Sequence, residues 1–236
     1  MPRPDPTADR LPFDLVVLDL DGTLVDSLQD LCDSANELVT EHGGATLEPL
    51  QVARMVGEGA TVLVERVIAA SGIVIDPAAA LARYLEIYDG RLLRNTRPYP
   101  GIPEFLRDAA KLVPLGVVTN KPARAAMPVL EGLGLAGFFR EIVGGDGPHP
   151  KKPNPASLLA MMAAAGGSAA RTLLIGDSAV DLRTARNAGT RFCCARYGFG
   201  SHQFPDDEIG PADWVVDSAF ELPQVLHGAR RCGPAG

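Results

Sequence analysis

Apolar positions along this chain change period twice, and the order of the changes predicts the architecture. The continuous run Leu15-Val16-Val17-Leu18 reads as a strand buried on both faces, as parallel strands are. After Asp26 the spacing becomes helical. Leu28, Leu31, Cys32, Ala35, Leu38, Val39 and His42 share one face, with Asp26 or Ser27 as N-cap and Gly43 as the stop. Further helical patterns cover Glu48 to Val56, Thr61 to Ser71 and Pro77 to Arg94, the last weakened by Gly90. No strand pattern interrupts these four segments, which predicts an all-helical unit.

From Tyr99 onward helices and strands alternate. The expected helices are Ile102 to Val113, Ala123 to Leu133, Ala156 to Ala165, Leu182 to Ala188 and Ala219 to Leu226. The expected strands are Leu115 to Thr119, Glu141 to Val143, Thr172 to Ile175, Arg191 to Ala195 and Trp214 to Val216. Such alternation predicts an α/β fold with a doubly wound, Rossmann-like parallel sheet and right-handed crossovers. The first strand belongs to that sheet, so the helical unit is an insertion, a cap domain of four helices. The expected division is a core of residues 11–25 and 97–228, a cap of 26–96, and loose tails at 1–10 and 229–236.

Composition changes this picture little and narrows the partners. With 236 residues, 46% hydrophobic and 22% charged, the chain has enough apolar surface for a large core and a smaller second unit. A net charge of −7 without any Lys/Arg-rich block argues against nucleic acid or an anionic membrane as partner. A small anion remains compatible, because local cations or a metal outweigh the global field. No apolar run is long enough to span a bilayer, and the proline-rich start lacks a signal core. Cys32, Cys193, Cys194 and Cys232 make no C-x-x-C pair. A cytoplasmic protein with reduced thiols is expected, as a monomer or a homodimer.

Candidate chemistry collects at the carboxyl ends of the strands, where open α/β sheets bind ligands. The first strand runs into Asp19-Leu20-Asp21-Gly22-Thr23. The second ends in Thr119-Asn120-Lys121. A loop before a helix carries Lys151-Lys152-Pro153, and Leu173-Leu174-Ile175 leads to Gly176-Asp177-Ser178 with Asp181 beyond. Each piece alone reads equally well as a turn or a helix cap. Together they bring four carboxylates to one edge. Two such charges 4 Å apart repel by ~4 kcal/mol at an effective dielectric of about 20, so a phosphate dianion would not stay without a divalent cation. Oxygen-only ligands favour Mg²⁺.

This ordered set resembles the haloacid dehalogenase superfamily, in its form with a helical cap inserted after the first strand. The resemblance covers nearly the whole chain. It implies Asp19 as nucleophile, Asp21 as general acid and base, and a phosphate site of Thr119, Asn120 and Lys152, the lysine that directly precedes proline. Lys151 is the fallback. It further implies Mg²⁺ held by Asp19, the backbone carbonyl of Asp21, and Asp177, with Asp181 and Ser178 behind them. The carboxylate at Asp21 favours phosphoester chemistry, since a halide leaving group needs no proton.

Val56-Gly57-Glu58-Gly59-Ala60 resembles a cap loop of bacterial phosphoglycolate phosphatases, and Arg196-Tyr197-Gly198-Phe199-Gly200 resembles their Tyr-Gly-Tyr stretch. Gly57, Glu58 and Gly59 thus become candidate substrate contacts, with Arg54 and Arg66 as possible carboxylate ligands. The implied partner is a small phosphorylated metabolite, first of all 2-phosphoglycolate. Alternatives are a sugar-acid ester such as N-acetylmuramate 6-phosphate, a sugar phosphomutase, and a phospho-aspartate switch of the receiver type.

Overall fold

The computed structural model describes residues 11–204 and 208–229. The expected tail at 1–10, most of that at 229–236, and Cys232 lie outside them. Among the described residues six parallel strands form the main sheet: β1 (Leu15–Leu18), β4 (Leu115–Val118), β5 (Glu141–Val143), β6 (Thr172–Gly176), β7 (Arg191–Ala195) and β8 (Trp214–Val216). Their order is β5-β4-β1-β6-β7-β8, with β1 between β4 and β6. The chain therefore winds outward in both directions from β1, and the crevice at such a reversal is where doubly wound sheets bind ligands.

Alternation along β1 sets the layers. Val16 and Leu18 join a cluster with α5 (Ile102–Ala109), α6 (Ala123–Gly132) and α9 (Leu222–Leu226). Leu15 and Val17 face the other way, onto α7 (Ala156–Ala165) and α8 (Ala179–Ala188). Both faces are covered, which is why this strand reads as a continuous apolar run.

Between β2 (Val25–Asp26) and β3 (Arg97–Pro98) lie four helices: α1 (Leu28–Glu41), α2 (Pro49–Ala53), α3 (Ala60–Ser71) and α4 (Pro77–Asp89). They bury a cluster of their own, including Leu38, Val64, Tyr84 and Tyr88, which reaches Ala125 on α6. β2 and β3 pair antiparallel where the chain leaves the core and returns. The sequence pattern gave no sign of this two-residue ladder.

Several ends differ from the periodicity. The pattern extends α5 to Val113, but the helix stops at Ala109, with Ala110 as C-cap, because a helix continued to Pro114 would set the proline ring against the Ala110 carbonyl. α4 stops at Asp89 rather than Arg94, its C-cap being Gly90. α8 begins at Ala179 rather than Leu182, since Ser178 and Asp181 form a capping box. The last segment divides into a short 3₁₀ turn, Ala219–Glu221, and α9. Cys32, Cys193 and Cys194 are buried free thiols.

Candidate active site

The cleft opens at the carboxyl end of β1 and is roofed by the helical insertion. Asp19 follows β1 directly, Thr119 follows β4 and Asp177 follows β6, so three neighbouring strands deliver one side chain each to one edge. Gly22 turns the chain away at φ +86°, and a Cβ there would stand 1.9 Å from Oδ2 of Asp177. Added Cβ atoms at Gly198 and Gly200 would meet the same carboxylate, and the Gly200 N–H donates to its Oδ2 at 2.7 Å. Thr23 donates to its Oδ1 at 3.3 Å. Three glycines are thus needed for backbone to close around Asp177.

Lys152, from the loop before α7, lies 2.8 Å from Asp19 and 2.6 Å from Asp181. All three are buried. Oδ2 of Asp181 is taken by the hydroxyl of Ser178 at 2.6 Å, so both its oxygens are committed. Oδ1 of Asp19 faces the Lys152 ammonium as an ion pair, but no donor is aligned with it as a hydrogen bond. Burial pushes the Asp19 carboxyl up to about 6; Lys152 opposes this and Asp181 adds to it. Burial, then the charges of Asp181 and Asp19, hold Asp177 well above the usual carboxylate range. For Lys152, burial works against the charge, but Asp181 and Asp19 outweigh it and hold the ammonium above its ordinary range.

Asp19, Asp177 and Asp181 each offer an oxygen within 4.8 Å of the others. Buried carboxylates this close fit a hard divalent cation, whose charge removes both the desolvation cost and the repulsion.

Asp21 lines the same cleft but has partners of its own. Its Oδ1 accepts from Ser27 at 2.6 Å and from Nζ of Lys121 at 2.9 Å, and its Oδ2 lies 3.1 Å from the same ammonium. Lys121 also donates to the Tyr88 hydroxyl at 2.5 Å. The sequence reading grouped Lys121 with Thr119 and Asn120 but gave it no role. Its partner lies 100 positions away, and only the adjacency of β1 and β4 makes the pair. Thr119 lines the cleft, and its Oγ1 accepts from the Lys121 N–H.

The side chain of Asn120 joins the two parts of the molecule. Its Nδ2 donates to the carbonyls of Gly57 and Lys152 at 2.9 Å each, and its Oδ1 accepts from the Lys152 N–H at 2.8 Å. Gly57 and Gly59 take positive φ, +124° and +92°, and both line the cleft. Glu58 points away, paired with Arg66, which also donates to the carbonyl of Met55. Arg66 therefore braces the loop, and Arg54 is exposed. Lys151 is exposed too, and its Nζ would lie 2.9 Å from a Cβ at Gly59. In the 196–200 segment the rings are structural: Tyr197 packs on Tyr99 and donates to the carbonyl of Thr23. The glycines between them meet Asp177.

The family model described as haloacid dehalogenase-like hydrolase matches residues 16–195, a span that includes Asp19, Asp21, Thr119, Asn120, Lys121, Lys152, Asp177 and Asp181. The chain belongs to that family. A protein of Rhodospirillum rubrum named phosphoglycolate phosphatase is 41% identical over 216 residues, covering 85% of this chain and 90% of its own. One of the same name from Pseudomonas syringae pv. tomato is 38% identical over 227 residues, covering 93% and 82%. A solved structure from Haemophilus somnus 129pt, described as a predicted phosphoglycolate phosphatase, superposes with a TM-score of 0.85 at 28% identity, covering 91% of this chain and 98% of that one. Membership also removes the receiver-type switch from consideration.

Proposed function

We propose that the protein is a Mg²⁺-dependent phosphomonoesterase that works through an aspartyl phosphate and hydrolyses 2-phosphoglycolate to glycolate and phosphate. The observation that carries the reaction class is the meeting of Asp19, Asp177 and Lys152 at one buried sheet edge, with Asp21 beside them. Asp19, the carbonyl of Asp21, and Asp177 would hold the ion. Its charge neutralises the pocket so that a phosphate dianion can approach.

An oxygen of Asp19 attacks phosphorus while the ester P–O bond breaks. Asp21 gives its proton to the departing alkoxide. Water then attacks phosphorus and passes a proton to Asp21, the bond to Asp19 breaks, and inorganic phosphate leaves. Thr119, the Asn120 N–H and Lys152 contact the phosphoryl oxygens, whose charge and placement dominate such transfers. Residues 26–96 act as a cap over the core of 11–25 and 97–228 and exclude water.

Two observations favour a two-carbon leaving group. Relatives more than a third identical carry the name phosphoglycolate phosphatase. The roof of the cleft includes the start of α3 at Ala60, where backbone N–H groups and the helix dipole favour an anion. No helix among the described residues is long and apolar enough to cross a membrane, and we place the enzyme in the cytoplasm.

The test is a rate panel on 2-phosphoglycolate, N-acetylmuramate 6-phosphate and a hexose phosphate, with Mg²⁺ or with chelator, for wild type and Asp19→Asn. Phosphoglycolate should give the highest kcat/KM, and both chelation and the substitution should abolish turnover. A preference for the aminosugar ester overturns the substrate. Turnover by the Asp19→Asn variant overturns the reaction class.

A further inference from the structure

Tyr84 carries a hydroxyl that is buried and has no hydrogen-bond partner. A buried donor without a partner destabilises the fold, so it marks either a packing cost or a ligand. Tyr84 lines the cleft that also holds Asp19, Asp21 and Lys121. Its ring stacks on Tyr88, with centroids 6.0 Å apart and planes 7° from parallel. The Lys121 ammonium donates to the Tyr88 phenol and lies 4.5 Å from its ring centre. Tyr84 and Lys121 therefore both contact Tyr88, and all three line the cleft.

The surroundings suit an anion on a short carbon stem. The Lys121 ammonium already meets both oxygens of Asp21 and the Tyr88 hydroxyl, so a ligand carboxylate would share its charge and one of these donors. The walls near Tyr84 are apolar, formed by Leu31, Leu63 and Leu85. Among the described residues, the only carboxylates lining the cleft are Asp19 and Asp21, at its catalytic end. The first turn of α3 adds backbone donors that have no acceptor within the helix.

We infer that Tyr84 and Lys121 form a subsite for a carboxylate on the leaving alcohol, and that the pair selects an acid-bearing phosphate ester over a neutral one. The inference rests on the phosphatase reading above and adds the residues that read the leaving group. Lys121 has a second task, holding Asp21 in place, while the Tyr84 hydroxyl has no partner in the protein. Charge-assisted hydrogen bonds to a desolvated carboxylate are among the stronger ones, so losing either donor costs the anionic substrate most.

The test compares 2-phosphoglycolate with ethyl phosphate, in which a methyl group replaces the carboxylate. Wild type should favour phosphoglycolate in kcat/KM by a hundredfold or more. Tyr84→Phe should cut that ratio about tenfold, and Lys121→Met about a hundredfold, with Lys121→Arg restoring most of it. Tyr84→Phe removes an unpaired buried hydroxyl, so the ligand-free variant should also melt about 2–4 °C higher, a shift that a structural role for the hydroxyl would reverse. If both variants keep the wild-type ratio while wild type still turns over phosphoglycolate, the subsite is wrong and the phosphatase reading stands. If wild type turns over neither ester with Mg²⁺, the phosphatase reading fails and takes the subsite with it.

Discussion

Asp30 accepts hydrogen bonds from both the backbone N–H and the hydroxyl of Thr96, at 2.8 and 2.7 Å. Asn95 adds its own N–H and its side-chain amide. Asp30 is fully buried in the first turn of α1, and its partners lie where the chain returns to the core. One carboxylate thus fastens the start of the helical insertion to its end.

Asp30→Ala should leave these donors unsatisfied and cost about 3 kcal/mol at pH 7. Burial works against the Asp30 charge, but the Asn95 and Thr96 bonds outweigh it and hold the carboxyl below its ordinary value. A depressed value stabilises the fold above the unfolded-state pKa, about 3.9, and that contribution is lost as pH falls through the folded value. Urea unfolding at pH 7 and pH 3 checks this. The gap between wild type and variant should shrink at pH 3, and a gap that stays constant contradicts the assignment.

Asp19 and Asp177 shift the opposite way. Their raised values favour the protonated folded form, so their contribution to the metal-free protein is full below about pH 4 and is lost as pH rises through about 6 for Asp19. Protons and metal compete for the same oxygens. The Tm gain on adding 5–10 mM Mg²⁺, a concentration on the order of what single-site linkage needs, should be small at pH 5 and several degrees larger at pH 7.5. Equal gains at both values would place the ion elsewhere.

Gly22→Ala separates backbone strain from crowding. Gly22 and Gly43 both have positive φ, but only at Gly22 does an added Cβ meet Asp177. Both substitutions should cost about 1 kcal/mol in backbone strain. Gly22→Ala should also weaken Mg²⁺ binding at least tenfold by titration calorimetry, whereas Gly43→Ala should bind as wild type does. Equal affinity in the two variants contradicts a metal role for Asp177.

Asn120→Ala removes the bonds to Gly57 and Lys152 and leaves three backbone groups without these partners. A loss of about 2–3 kcal/mol, or about 5–10 °C in Tm, is expected. Hydrogen exchange should rise in residues 55–60 while β1 and β4 stay protected. Uniform loss of protection across the chain would show that the side chain supports the whole core rather than the loop.

Much of this was readable without coordinates because it is local. The β1 run, the four helical stretches after Asp26 and the alternation from Tyr99 onward are short-range periodicities, and each formed its element within a few residues. Errors fell at ends, where a neighbour overrode the pattern: Pro114 shortened α5, and Ser178 started α8 early. Asp19, Asp21, Thr119, Asn120, Asp177 and Asp181 were candidates because each follows a strand or opens a helix, and Lys152 because it directly precedes Pro153 in a loop as the resemblance implies; the structure brings them to one sheet edge.

The sequence by itself determined the kind of fold and which strand ends carry acids and a lysine, since those follow from residue type and spacing along the chain. Pairing was decided only in three dimensions. Lys121 reads as one more polar residue after a strand, Asp30 as an ordinary first-turn acid, and Tyr84 as part of an apolar stripe. Their meaning lies in Asp21, Thr96 and a cleft tens of residues away. Contacts of that range depend on strand order and helix packing, which a linear pattern does not encode. Burial then decides how much each contact matters, because a hydrogen bond or charge removed from water costs far more when left unmatched.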